Sequence, residues 1–142
     1  MPKKVFVDTW GWVALGHHRD SRHKEVRDFF QQLRSQNAQI FTSDYILDET
    51  ITLLFRREHF GEAIRFMEGI FAGTSQNILT VEKVSSTRFT EAWKFRLKFQ
   101  DKPLISFTDL TSMVILKELD IKMILTDDDH FTMVGMGFQK VP

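Results

Sequence analysis

Lys4-Val5-Phe6-Val7-Asp8-Thr9 decides how this sequence is read. Val5, Phe6 and Val7 form a β-branched and aromatic run without polar alternation, so Lys4–Val7 reads as a buried strand. An acid follows at once, which puts Asp8 at the carboxyl end of that strand. Standing just before a short helix, Asp8 also suits an N-cap.

Outward from this strand, the pattern alternates. A short helix over Trp10–Leu15 precedes one over Arg22–Arg34, whose apolar residues Val26, Phe29, Phe30 and Leu33 keep helical spacing. Gln39–Thr42 reads as a second strand. Ser43 or Asp44 can cap a helix running to about Phe60, where Gly61 breaks it, and Glu62–Ala72 is a further helix stopped by Gly73. A third strand over Ile78–Val84 leads to a helix from Ser85 or Ser86 to Phe99. The next helix, from Ser106 or Thr108 to Leu119, is apolar nearly all round and belongs in the interior. Ile121–Leu125 and Phe138–Val141 complete the strands. Strands alternating with helices predict a three-layer α/β/α fold on a mostly parallel sheet. Ligands of such sheets bind beyond the carboxyl ends of the strands, where the strand order reverses.

The 142 residues fit a single domain over 1–142, since domains run to roughly 100–200 residues. Lys+Arg and Asp+Glu both total 19, so the chain as a whole does not attract nucleic acid or an anionic membrane, and such binding needs a local patch. Cysteine is absent, which excludes disulfides, zinc–thiolate sites and a thiol nucleophile. No apolar run approaches the roughly 20 residues of a membrane span, and the N-terminus lacks a secretory h-region. A soluble cytoplasmic protein is expected.

Four acidic positions resist simple explanation. Asp8 ends the first strand, and Asp127-Asp128-Asp129 follows the strand Ile121–Leu125, where it could also be a solvated turn. Glu49 has Tyr45, Ile46, Thr52 and Leu53 as helical neighbours and so borders an apolar face, where a carboxylate is costly unless paired or bound to metal. Asp109 opens the most buried helix, a position that dipole compensation alone would favour. If these acids converge, they repel and raise one another's pKa. A divalent cation relieves that, and Mg²⁺ or Mn²⁺ suits an oxygen site built without histidine or cysteine. Such a site supports phosphoryl chemistry.

Together the motifs resemble those of the PIN-domain family, in particular its VapC-like toxin ribonucleases. The resemblance spans the chain: Val5-Phe6-Val7-Asp8-Thr9, then Thr42-Ser43-Asp44-Tyr45-Ile46-Leu47-Asp48-Glu49, then Ser106-Phe107-Thr108-Asp109, then Leu125-Thr126-Asp127-Asp128-Asp129-His130-Phe131. It implies Mg²⁺- or Mn²⁺-dependent endonucleolytic cleavage of RNA at Asp8, Glu49, Asp109 and one acid of the last motif. It also implies a homodimer neutralised by a small antitoxin protein. The family's Thr-x-Asp-x-x-Phe turn fits Thr126, Asp128 and Phe131, which favours Asp128 and leaves Asp127 and Asp129 in reserve. Thr126 would then support Asp8 or a bound water, and Thr9 could hydrogen-bond Asp8 or a metal-bound water.

Substrate-binding features are less distinct. Arg88, Lys94, Arg96, Lys98 and Lys102 crowd one segment, as a phosphate-tracking stripe or as a solvated helix face. Trp10 and Trp12 could stack on a base, although at least one belongs in the core. His17, His18 and His23 lack zinc spacing and read as surface residues. His130, beside the acidic turn, could act as an acid or base. Two other functions compete with the nuclease. A haloacid-dehalogenase-like phosphatase also ends its first strand in Asp-Thr, but it needs a second Asp where Trp10 stands. A non-catalytic RNA- or protein-binding module is the other; as a decayed nuclease it should have lost one of the four acids, and none is missing.

Overall fold

A computed structural model describes residues 2–142. The strands β1 (Lys4–Val7), β2 (Gln39–Ser43), β3 (Leu79–Glu82), β4 (Met123–Leu125) and β5 (Gln139–Val141) form one sheet in the order β3-β2-β1-β4-β5. Every neighbouring pair is parallel, β5 included, so the sheet expected to be mostly parallel is wholly so. The segment 126–138, with a single 3-10 turn at Asp129–Phe131, is long enough to return the chain to the same edge without a regular helix.

Among the described residues six helices flank the sheet: α1 (Thr9–Gly16), α2 (His23–Ser35), α3 (Asp44–Arg57), α4 (Phe60–Ser75), α5 (Ser86–Lys98) and α6 (Phe107–Leu119). Helices α1 to α4 pack among themselves, and α5 packs on α6. The chain steps from β1 to β2 to β3 in one direction and then crosses back to β4. With right-handed crossovers the two helix groups therefore cover opposite faces. Among the described residues no helix is long and apolar enough to cross a membrane.

Two helix boundaries differ from the sequence reading. The break between α3 and α4 falls at Glu58-His59 rather than at Gly61, because Glu58 turns into extended backbone and its buried carboxylate pairs with His17. Helix α4 also runs past Gly73 to Ser75. A glycine inside a helix lowers its stability by only about 1 kcal/mol, and the chain reverses instead at Asn77, whose φ is +60°. Capping by Ser43, Ser85 and Ser106 starts α3, α5 and α6 as their positions suggest.

The reversal of strand order lies between β1 and β4. Val7 is in register with Leu125, and the Asp8 amide donates to the Leu125 carbonyl at 3.2 Å. Helix α1 leaves this point directly over β4. Gly11 makes that approach possible: a Cβ there would lie 2.8 Å from the Leu125 carbonyl oxygen and 3.0 Å from both Leu125 Cγ and Val7 Cγ1. Backbone cannot yield as a side-chain tip can, so Gly11→Ala should destabilise the fold by about 1–3 kcal/mol. A urea melt of the variant checks this, and an unchanged midpoint would show that α1 can shift off β4 freely.

Candidate active site

Four separate elements deliver the acids to this edge. Asp8 emerges from β1, is buried and occupies the N-cap position of α1 with extended backbone, where its carbonyl accepts from the Trp12 amide, but its side chain makes no capping bond further into the helix. Instead Thr126 Oγ1, just beyond β4, donates to Asp8 Oδ2 at 2.8 Å. The same hydroxyl accepts from the Asp128 amide at 3.1 Å and so fixes the start of the acidic turn. Asp109 is buried in the first turn of α6, where Ser106 Oγ accepts from its amide at 3.0 Å. Glu49 reaches in from α3, and Thr9 Oγ1 donates to Glu49 Oε1 at 2.7 Å. The partner of the Thr9 hydroxyl is therefore Glu49, not Asp8.

The three consecutive acids diverge. Asp127, with a side chain 58% exposed, lies 3.5 Å from Arg22 Nη1. Asp129 is 73% exposed and pairs with Lys140 Nζ at 2.5 Å. Asp128 is 33% exposed and turns toward Asp109. Its Oδ1 accepts from the His130 amide at 2.8 Å, which closes the 3-10 turn while Phe131 anchors that turn in the core.

Electrostatics follow from this crowding. Burial raises the Asp109 carboxyl to about 8, helped by the charges of Asp8 and Asp128. The N-terminal dipole of α6 favours the anion, but desolvation outweighs it. Burial likewise raises Asp8 to about 6, against the hydrogen bonds from Thr126 and the Thr9 backbone, with the charges of Asp128 and Glu49 adding to the rise.

His130 stands in the cluster as well. Its Nδ1 lies 3.1 Å from Asp128 Oδ1 and 3.6 Å from Asp109 Oδ2. The first of these is short in distance but poorly directed, and the buried Nδ1 atom has no hydrogen-bond partner. Asp109, Asp128 and His130 each offer a ligand atom within 4.8 Å of the others. A buried ring nitrogen left without a partner beside crowded carboxylates is what a divalent cation would resolve, so the donor set fits such a cation, and His130 departs from the all-oxygen site that the sequence suggests. The convergence of His130 had only its adjacency to the acids as a sequence signal.

Other sequence candidates lie elsewhere. Trp12 is buried and its Nε1 donates to Thr42 Oγ1 at 3.0 Å, while Trp10 is half-buried under the Arg22 guanidinium. His17 and His23 are half-buried rather than on the surface: one pairs with Glu58, the other lies 2.7 Å from the Ala14 carbonyl. Arg88 joins Glu82 to Glu118, Arg96 donates to backbone carbonyls, Lys94 pairs with Glu91 and Lys102 with Asp101, so four of the five clustered cations have partners within the chain.

The sequence matches the PIN domain family over residues 5–135. It is 29% identical over 131 residues to the 23S rRNA-specific endonuclease VapC20 of Mycobacterium tuberculosis, covering 92% of this chain and 94% of that protein. It is likewise 29% identical over 138 residues to a VapC ribonuclease of Archaeoglobus fulgidus, covering 94% and 82%. The crystal structure of the M. tuberculosis toxin VapC20 superposes with a TM-score of 0.79 at 30% identity, over 96% of this chain and 98% of that one. VapBC2 of Rickettsia felis, bound to promoter DNA, shares the fold with a TM-score of 0.68 at 17% identity, over 97% of each chain.

The raised carboxyls set the sign of a pH effect. Folded Asp8 and Asp109 hold protons that the unfolded chain, with aspartates near about 3.9, has already released. Their stabilisation is complete below about pH 4 and is lost as pH rises through about 6 and about 8. Urea midpoints of the metal-free protein should therefore fall between about pH 5 and about pH 9. Asp109→Asn should flatten the curve and exceed the wild type at the alkaline end. A flat wild-type profile would mean that these carboxyls are not strained together.

Proposed function

This chain belongs to the PIN domain family, and on that premise we propose that it is a metal-dependent endoribonuclease, the toxin of a toxin–antitoxin pair, acting as one nuclease domain in the cytoplasm. The observation that carries the reading is the convergence of Asp109, Asp128 and His130, beside Asp8, at the sheet's reversal point. The 23S rRNA specificity printed for the M. tuberculosis relative describes that protein; for this chain the proposal is RNA as a class.

In this reading Asp8, Asp109 and Asp128 would hold Mg²⁺ or Mn²⁺, with Glu49 alongside and the His130 Nδ1 facing the same place. When bound, the ion neutralises the cluster, lowers the pKa of an attacking water and offsets charge on the phosphate and the leaving oxygen. Thr126 keeps Asp8 in place while that charge is balanced, and Thr9 keeps Glu49 turned inward, where it can orient the water and accept its proton. Water adds to phosphorus as the bond to the leaving oxygen breaks, and that oxygen takes a proton from solvent, since the His130 Nδ1 faces the cation site. Without neutralisation the same carboxylates repel the RNA backbone. A homodimer and a small antitoxin protein as inhibitor, both implied by the family resemblance, complete the proposal.

Single-turnover cleavage of RNA in Mg²⁺, Mn²⁺ or EDTA tests the reading. The chelator should abolish cleavage, and Asp109→Asn and Asp128→Asn should each reduce it by about a hundredfold or more, the order expected for removing a preorganised charge. Asp127→Asn and Asp129→Asn should stay within a few-fold of wild type. Equal loss across the three consecutive acids would remove Asp128 from its assigned place.

A further inference from the structure

Resting on the nuclease reading, we infer that the small cleft walled by Leu104, Met133 and His130 is a subsite for one nucleobase of single-stranded RNA beside the scissile phosphate. The cleft encloses about 140 Å³ and is lined by Asp101, Lys102, Pro103, Leu104, Ile105, His130 and Met133. His130 is shared between the two: it lines the cleft, and its Nδ1 lies 3.1 Å from Asp128 and 3.6 Å from Asp109. One residue therefore stands between the cleft and the carboxylates, so a nucleotide whose phosphate met the acids would have its base on the cleft side.

The apolar walls are presented rather than tucked in. Leu104 is 85% exposed and Met133 is 53% exposed. Folding gains nothing from an aliphatic side chain left in water, yet the loop carrying Leu104 is firmly held. Arg96 donates to the carbonyls of Ile105 (2.6 Å), Lys102 (2.7 Å) and Phe99 (2.9 Å). Ile105 is buried beside it, and Ser106 then caps α6, the helix that carries Asp109. One tied loop thus sets both Leu104 and Asp109, so the distance between cleft and acids is fixed before any ligand arrives.

The charge pattern selects the ligand. Lys102 Nζ lies 2.8 Å from Asp101 Oδ2, so the rim offers a donor and an acceptor with no net charge, and the acid cluster next door disfavours a second anion. A phosphate is a poor fit. A nucleobase has a flat apolar face for Leu104 and Met133 and a polar edge for the rim, and single-stranded RNA presents its bases unstacked for such contacts.

The test uses an unstructured RNA of about 10 nucleotides and a set of versions lacking one base each, a length within the footprint of small single-strand binders. Binding is read by fluorescence anisotropy with Ca²⁺ in place of Mg²⁺, and integrity of the RNA is checked on a gel. The wild type should lose about fivefold or more in affinity when one particular base is missing. Leu104→Ser with Met133→Ser should bind the intact RNA no better than that abasic one, and Leu104→Ser alone should lose part of the difference. Affinity indifferent to every base, or full discrimination by the double variant, overturns the subsite. Cleavage in Mg²⁺ is measured separately: base-dependent binding without any cleavage would sink the nuclease reading and leave the subsite, whereas cleavage with base-indifferent binding would do the reverse.

Discussion

Like charges crowd an edge of this sheet that is too dry for them, and much of the architecture around that edge holds them there. Asp8 cannot retreat, because it continues a strand whose three preceding residues are wholly buried and its own amide is bonded to β4. Asp109 cannot retreat either, since α6 is buried along most of its length. The fold tolerates this by letting burial keep both carboxyls protonated well above the ordinary range. A divalent ion would relieve this crowding, because it would both neutralise the cluster and replace the lost water.

The groups that make no direct claim on chemistry are as informative as those that do. Thr126 bridges Asp8 to the Asp128 amide, Thr9 aims Glu49, and Ser106 sets the start of α6. Each is a short hydroxyl side chain at a junction where a strand or loop turns into the next element, so hydrogen bonding that caps or turns the backbone also orients a carboxylate. Arg96 extends the same economy outward by tying the loop before α6 with one guanidinium. Trp10, where a phosphatase of the dehalogenase type would need its second aspartate, instead lies half-buried under Arg22.

Much of this was legible in the sequence because periodicity and burial are local signals. The unbroken apolar runs of β1 and β4, the serine caps of α3, α5 and α6, and the all-round apolar face of α6 each follow from side-chain type and spacing within one element. The order of the acids along those elements sufficed for the family likeness. The limits of helices α3 and α4 were not legible from glycine alone, since the Glu58–His17 pair and the left-handed Asn77 determined them.

The sequence by itself determined the alternation of strands and helices, the positions of Asp8, Asp109 and the acidic turn at element ends, the place of Glu49 on the border of an apolar helix face, and the absence of thiol or disulfide chemistry. Only the tertiary structure decided that Asp128 turns inward while Asp127 and Asp129 pair outward with Arg22 and Lys140. It alone gave Thr9 to Glu49, brought His130 to the carboxylates, used Arg88 and Arg96 internally, and set Leu104 beside His130. The reason is physical: an element's type depends on neighbours within a few residues. A side chain's partner depends on where a parallel crossover returns the chain, and Thr126 meets Asp8 across 118 residues of sequence.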